Sequence, residues 1–232
     1  MRTTLNAVRL TTCVIALLLA GCASETLFRS NFDSTPNGQP PATAQSVGTA
    51  QVFGVSGGVT VIAPPVTPSG KWIQIGRLDP QGDVAGMQGR MTKSGEGVYT
   101  FSATMFMPAG AGVATVQFEQ SSNGPSDLGS FLHLDFMPDN TVRIDDNDAT
   151  KFGSFQRNQP FIVQVTLRIG ATASTAHIAL SGAFASGEKD TTIEGGPLQF
   201  QSRQFGAIRI WQGSPHTGAF DTTNIAVTRQ TQ

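Results

Sequence analysis

The chain has 232 residues, of which 13% are charged and 39% are hydrophobic, with 26 glycines and 13 prolines. This composition is too apolar for a disordered chain and too rich in turn-forming residues for a helical bundle. The formal net charge of −1 argues against the clustered basic surface that a nucleic-acid partner would need.

The first 22 residues, MRTTLNAVRLTTCVIALLLAGC, are organised like an export signal. Arg2 and Arg9 supply positive charge, and the apolar stretch that follows covers only residues 13–20. A membrane-spanning helix needs about 20 apolar residues, so the pattern favours a signal peptide.

The signal ends in Leu19-Ala20-Gly21-Cys22, which resembles the lipobox of bacterial lipoproteins. The resemblance implies cleavage before Cys22, a diacylglycerol on its thiol and an acyl chain such as palmitate on its new amine. An ordinary secretory signal with a chance cysteine is the alternative. Cys13 would leave with the signal, so the mature chain would have one cysteine and no internal disulfide.

Ala23 stands where an inner-membrane lipoprotein would usually carry aspartate, so the resemblance implies the outer membrane, on either of its sides. Loss of Arg2 and Arg9 would leave 13 basic and 16 acidic residues, a net charge of −3. The lipid alone is therefore expected to hold the protein at the membrane.

The mature chain contains short alternating runs divided by Gly, Pro, Asn and Asp, without helical periodicity or a fixed repeat. The segment 34–41, STPNGQPP, is predicted to be a loop, and Pro138-Asp139-Asn140 a hairpin turn. So many short strands in one domain predict an all-β, two-sheet antiparallel sandwich. The predicted strands are 50–55, 59–63, 72–78, 85–91, 98–107, 113–120, 131–137, 142–145, 151–155, 161–169, 175–181, 191–200, 207–212 and 224–228.

Three parts of the chain resemble concanavalin A-like lectin/glucanase (LamG-like) domains. Residues 155–182 resemble a pair of their strands, residues 206–227 their last two strands, and residues 31–38 their first strand and loop. Galactose-binding-type modules begin and end similarly, and both families are β jelly rolls. We therefore expect a signal peptide at 1–21, a lipidated N-terminus with first strand and linker at 22–44, and the sandwich at 45–232.

Strand alternation predicts which residues face away from the core. The resemblance implies a sugar-binding concave sheet, on which an aromatic ring stacks against the sugar and polar groups bond its hydroxyls. A face that is simply solvated is the alternative. The candidate carbohydrate-binding residues are Trp211, Arg209, Glu119, His133 and Asp135.

Trp72 is a weaker aromatic candidate, exposed if Ile73 and Ile75 point inward and otherwise capping the end of the core.

The sequence lacks the intact catalytic motifs of the enzymes that share this fold. Related glycosidases resemble one another in a Glu-x-Asp-x-Glu strand, whereas this chain has only His133-Leu-Asp135. Jelly-roll lyases need a tyrosine, and the single Tyr99 fits a core position. His133 with Glu119 is the remaining acid/base pair. We therefore expect no catalysis, without excluding it.

Two groups of oxygen ligands could hold a structural calcium ion. One is Asp145-Asp146-Asn147-Asp148, although such turns also form for backbone reasons alone. The other combines Asp33 with Asp221 and Asn224, because terminal strands often adjoin in jelly rolls. No other cofactor is expected.

The sequence thus predicts an outer-membrane lipoprotein whose β-sandwich binds carbohydrate without catalysis. A structural or assembly lipoprotein that contacts an unknown protein partner is the first alternative. A divergent polysaccharide-cleaving enzyme is the second.

Overall fold

The computed structural model describes residues 23–66, 70–77, 83–120, 129–193, 203–213 and 216–231. The predicted signal peptide, residues 1–21, and Cys22 lie outside these residues. The strands are β1 (Ser24–Arg29), β2 (Thr49–Gly54), β3 (Val59–Ile62), β4 (Trp72–Arg77), β5 (Ala85–Ser94), β6 (Gly97–Phe106), β7 (Ala114–Glu119), β8 (Ser130–Phe136), β9 (Val142–Ile144), β10 (Asn147–Phe152), β11 (Ser154–Phe155), β12 (Pro160–Ile169), β13 (Ser174–Ser181), β14 (Ala185–Thr192), β15 (Phe205–Gln212) and β16 (Gly218–Gln230).

These strands form two antiparallel sheets. The nine-stranded sheet has the order β11-β14-β13-β12-β6-β16-β4-β3, and β1 also pairs with β16. The seven-stranded sheet has the order β10-β9-β8-β7-β15-β5-β2. The predicted all-β, two-sheet sandwich is therefore confirmed. In the described part of the chain no helix is long and apolar enough to span a membrane.

The core lies between the sheets and combines aliphatic side chains with a set of contacting aromatic rings. Tyr99 meets Phe205 edge-on with ring centroids 5.5 Å apart, and Phe101 meets Phe118 at 5.3 Å. Such edge-to-face pairs between β6 in one sheet and β7 or β15 in the other add to the stability that area burial supplies. The single tyrosine is therefore a core residue, as its alternation indicated. Trp72 is also buried, with 3% of its surface exposed.

The predicted strand 151–155 is divided between β10 and β11, and the strand predicted at 224–228 is part of the longer β16. Two strands were not predicted at their observed positions. The first strand is Ser24–Arg29, whereas residues 31–38, expected to contain it, form turns in which Thr35 N–H bonds the Phe32 carbonyl at 3.1 Å. The second is the strand Ala185–Thr192, which alternation missed because none of its side chains is fully buried. Much of the strand predicted at 191–200 lies outside the described residues. The predicted hairpin is confirmed, with Asn140 N–H bonded to the Met137 carbonyl at 3.0 Å.

Candidate functional site

One face of the seven-stranded sheet carries mainly polar side chains, together with the aromatic rings of Phe53 and Trp211. Strands β5, β7, β8 and β15 turn their apolar residues to the core, so the intervening residues share the opposite face. We call this surface the polar face. It consists of Phe53, Gln88, Arg90, Thr115, Gln117, Glu119, His133, Asp135, Arg209 and Trp211.

Strand pairing aligns the polar face into rows. Arg209 lies opposite Gln117 on one side and Gln88 on the other, and Gln117 lies opposite His133. In the next row Trp211 lies opposite Thr115, which lies opposite Asp135. The structure thus places all five predicted carbohydrate-binding residues on three adjacent strands, with Glu119 one step further along β7.

The polar face is buried rather than solvated. Six of its polar side chains are at most 6% exposed, while His133 and Trp211 are half-buried. Burying a polar group is costly unless it is hydrogen-bonded, so these side chains must find partners within the face. The six are Gln88, Thr115, Gln117, Glu119, Asp135 and Arg209.

Glu119 is the centre of a continuous hydrogen-bond network. Its Oε2 accepts from Gln88 Nε2 at 2.5 Å, and its Oε1 accepts from Gln117 Nε2 at 3.3 Å. Gln117 Oε1 in turn accepts from Trp211 Nε1 at 3.0 Å, and Gln88 Oε1 accepts from Arg90 Nε at 2.8 Å. Both amides therefore have fixed orientations, set at one end by a carboxylate and at the other by an N–H donor.

Arg209 lies between two aromatic rings. Its guanidinium carbon is 4.3 Å from the centre of the Phe53 ring and 4.8 Å from the centre of the Trp211 ring. Such cation–π contacts hold the guanidinium in place between the two rings. Because Arg209 covers one face of the indole, a ligand could reach only the other face or the edge of Trp211.

A glycine makes this arrangement possible. A Cβ at position 86 would lie 2.4 Å from Phe53 Cζ and 2.5 Å from Trp211 Cβ. Because such contacts are far below van der Waals separation, any other residue at Gly86 would displace one of the two aromatic side chains.

At the other side of the polar face, Asp135 is held by a hydroxyl and a guanidinium. Its Oδ1 accepts from Thr115 Oγ1 at 2.8 Å, and Arg143 lies 3.0 Å from its Oδ2. Burial raises the pKa of Asp135, and the hydrogen bonds from Thr115 and Arg143 oppose this rise.

The acidic turn that follows is bound by cations from the chain itself. Arg143 contacts Asp146 at 2.8 Å and Asp148 at 3.2 Å, while Asp145 Oδ1 accepts the backbone N–H of His133. Asp145 and Asp146 both have positive φ, as in a tight turn. The carboxylates of this turn are therefore already bonded to other groups of the protein.

The second predicted calcium group is also engaged elsewhere. Asp33 Oδ1 accepts the N–H of Lys71 at 3.2 Å, and Asn224 Nδ2 donates to Thr104 Oγ1 at 3.4 Å. Asp221 is 2% exposed and accepts from Gln74 Nε2 at 3.2 Å, and burial raises its pKa to about 6. In the described ranges no three His, Cys, Asp or Glu side chains are grouped to hold a metal ion.

The carboxylates of the polar face are too far apart for the usual glycosidase arrangement. Asp135 lies opposite Thr115, four residues along β7 from Glu119, so the two Cα atoms are roughly 14 Å apart. Glu119 also turns toward Gln88, and Asp135 toward Arg143, in opposite directions. Retaining and inverting glycosidases hold their carboxyl groups ~5 Å and ~6.5–9.5 Å apart. This pair does not have that geometry.

Sequence reasoning omitted Gln88, Arg90, Gln117 and Phe53 from the site. Alternation alone could have placed Gln88 and Arg90 on the polar face, because Met87 and Met91 are core residues of the same strand. Phe53 had no such signal, since β2 is an edge strand whose partner in the face is set only by sheet order.

Comparison with known proteins identifies the fold. No family model matches the chain, and no curated protein matches its sequence. Among solved structures, the endo-1,3-beta-glucanase of Streptomyces sioyaensis superposes with a TM-score of 0.50 at 10% identity, covering 90% of this chain and 97% of that one.

Two lectin structures have lower scores. Lectin II of Ulex europaeus gives a TM-score of 0.47 at 10% identity, covering 90% of this chain and 99% of that one. Arcelin-5, a lectin-like defense protein of Phaseolus vulgaris, gives 0.45 at 10% identity with the same coverage. At such identities the likeness is one of fold. The chain therefore shares the two-sheet antiparallel sandwich fold of the glucanase.

Proposed function

We propose that this protein is an outer-membrane lipoprotein, anchored through Cys22, whose polar face binds carbohydrate without cleaving it. The observation that carries the binding proposal is the buried, internally bonded set of polar side chains beside Trp211 and Phe53. Oriented amides, a guanidinium and aromatic rings are the groups that recognise sugar hydroxyls and sugar ring faces.

The network supports binding because it is organised before a ligand arrives. Gln88 and Gln117 are fixed by Glu119, and Arg209 is held by Phe53 and Trp211. A ligand that meets such groups loses less free energy to side-chain ordering than one that must arrange them. The likeness to a 1,3-β-glucanase suggests β-glucan oligosaccharides as the first ligands to test.

Tryptophan fluorescence tests the binding proposal directly, since the chain has only two tryptophans. Trp72 is buried and serves as a constant reference, whereas Trp211 is half-buried on the polar face. We expect the mature chain with Cys22→Ser to show a saturable emission change with one member of a neutral and acidic oligosaccharide panel, with or without calcium. Trp211→Ala should abolish it.

Gln164→Ala, on the exposed face of the other sheet, is the matched control and should bind normally. A flat response across the panel would contradict sugar binding and favour the protein-partner alternative. The anchor is tested separately: an alkyne palmitate analogue should label the full chain, and Cys22→Ser should remove the label.

A further inference from the structure

The first described residue is already fixed to the sandwich. The Ala23 carbonyl accepts from Thr231 N at 2.8 Å and from Thr231 Oγ1 at 2.7 Å. Ser24 then pairs with Gln230, and Glu25 with Arg229. The chain therefore has no free linker between Cys22 and the sheet.

We propose that the end of the sandwich beside Ala23 rests on the phospholipid headgroups of the membrane. This inference rests on the lipidation of Cys22 in the proposed function. We call the surface the anchor end. It consists of the two turns that connect β5 with β6 and β12 with β13, together with Ala23, Glu25, Arg168, Arg203, Arg229 and Thr231.

Covalent reach places this end at the bilayer. Cys22 and Ala23 are joined by one peptide bond, so their Cα atoms are ~3.8 Å apart and a glycerol on the Cys22 sulfur stays on the order of 10 Å from Ala23. Strand pairing places the other residues of the anchor end at the same height along the strands as Ala23. Val98 pairs with Arg168, Arg168 with Thr175 and Thr175 with Thr192, in the sheet that also contains Ser24 and Gln230.

The chemistry of the anchor end suits phosphate groups. Arg168 is exposed beside a shallow depression of about 350 Å³ that Glu96 and Thr175 also line. Arg203 bonds the Gly170 and Thr172 carbonyls, and Arg229 bonds the Glu96 carbonyl, so both guanidinium groups are fixed at this end. Guanidinium groups form charge-assisted hydrogen bonds with phosphate oxygens, often two at a time.

The charge balance at this end differs from that of the whole mature chain. Three arginines face two glutamates, Glu25 and Glu96, among its described residues, whereas the mature chain has a net charge of −3. The exposed large apolar side chains of the described chain, Val47, Val55, Ile162 and Phe184, belong to none of its rows or turns. The contact is therefore with headgroups and not with the hydrocarbon core.

This orientation also places the polar face. Phe205 contacts Tyr99 near the anchor end, and Trp211 lies six residues further along β15, roughly 20 Å higher. The strands then stand upright on the membrane, and the polar face lies on the side of the sandwich rather than at the end that contacts the membrane.

The experiment uses the full lipidated chain in vesicles of phosphatidylethanolamine and phosphatidylglycerol at 3:1. Because Cys13 leaves with the signal and Cys22 carries lipid, an added cysteine is the only free thiol. Ala171→Cys in the anchor-end turn and Ala109→Cys at the opposite end are matched exposed sites for a bimane label. We expect a headgroup spin label to quench bimane at position 171 at least threefold more than at position 109.

Two variants probe the cause. A flexible Gly/Ser linker of about 12 residues before Ala23 should let the domain move ~20 Å from Cys22. The ratio of quenching at position 171 to quenching at position 109 should then fall toward one. Arg168→Gln should reduce quenching at position 171 by a smaller factor. Equal quenching at both sites, or a difference that the linker leaves unchanged, would overturn the proposal. Mass spectrometry of the same sample reports lipidation, so an unlipidated Cys22 would identify failure of the anchor itself, independently of sugar binding.

Discussion

The outer faces of the two sheets have the same alternating sequence pattern but opposite environments. On β12, Gln164 and Arg168 are exposed, and on β13 His177 is exposed as well. On β7, by contrast, all six residues are buried, including the polar Thr115, Gln117 and Glu119. Period-two alternation therefore finds two polar faces, but only one of them is a network.

This difference shows what distinguishes a candidate site from an ordinary solvated sheet surface. A polar side chain in water costs nothing to leave unpaired, whereas a buried one must have partners. On the face of the nine-stranded sheet, His177 pairs with Asp190 at 2.9 Å, and their side chains are 45% and 87% exposed. Such exposed pairs contribute little to stability. The polar face, in contrast, should respond strongly to single substitutions.

The largest expected contrast is between Glu119→Ala and Gln164→Ala. Removing Glu119 leaves the amides of Gln88 and Gln117 without this acceptor, and each buried donor costs ~1–3 kcal/mol. We expect the free energy of unfolding to fall by roughly 4 kcal/mol. Gln164→Ala should change it by less than about 0.5 kcal/mol. Urea unfolding measures both, and similar losses would erase the distinction between the two faces.

Asp221 sharpens the comparison, because it is a buried carboxylate of the nine-stranded sheet. Its pKa is about 6 in the fold and ~3.9 in the unfolded chain, so the folded state binds more protons between these values. Asp221 therefore stabilises the fold most below about pH 4. This stabilisation is lost as the pH rises to about 6, and the free energy of unfolding does not change further through this group above that pH.

Asp221→Asn removes this dependence. Relative to the wild type, the variant's free energy of unfolding should rise by up to about 3 kcal/mol between pH 4 and pH 7. Each unit of pKa difference corresponds to ~1.4 kcal/mol. Unfolding of both proteins at several pH values measures the gain. A difference that is flat with pH would show that the carboxyl does not titrate as its burial indicates.

A smaller effect is expected for Trp211→Phe. The substitution removes the Nε1 donor to Gln117, a bond worth ~1 kcal/mol, while keeping an aromatic ring beside Arg209. Thr166→Val on the outer face of β12 is the control and should change stability by less than about 0.5 kcal/mol. Chemical unfolding compares them, and a larger loss in the control would contradict the contrast.

The fold was predictable because its signals are local. Val163, Val165 and Leu167 alternate with polar residues in β12, and the same pattern in β13 and β15 defines their buried sides. The strand Ala185–Thr192 was not predictable, because a strand without fully buried side chains has no hydrophobic period. Ser24–Arg29 was missed for a related reason: Leu27 and Phe28 are both buried at a bulge, which breaks the alternation.

The composition of the site was predictable only in part. Alternation correctly turned Arg209, Trp211 and Glu119 away from the core, since side-chain direction depends on local backbone geometry. It could not reveal that Glu119 on β7 bonds Gln88 on β5. These two strands lie on either side of β15, and that arrangement is set by the order of strands in the sheet.

The sequence by itself therefore determined the all-β class and the direction of most side chains, whereas lipid attachment at Cys22 stays a prediction. The class and the side-chain directions depend on neighbours within a few residues. Only the tertiary structure decided that Phe53 and Trp211 enclose Arg209, and that Gln88, Gln117 and Glu119 form one buried network. Those contacts join residues far apart in the chain, and strand order and burial, which no local pattern encodes, bring them together.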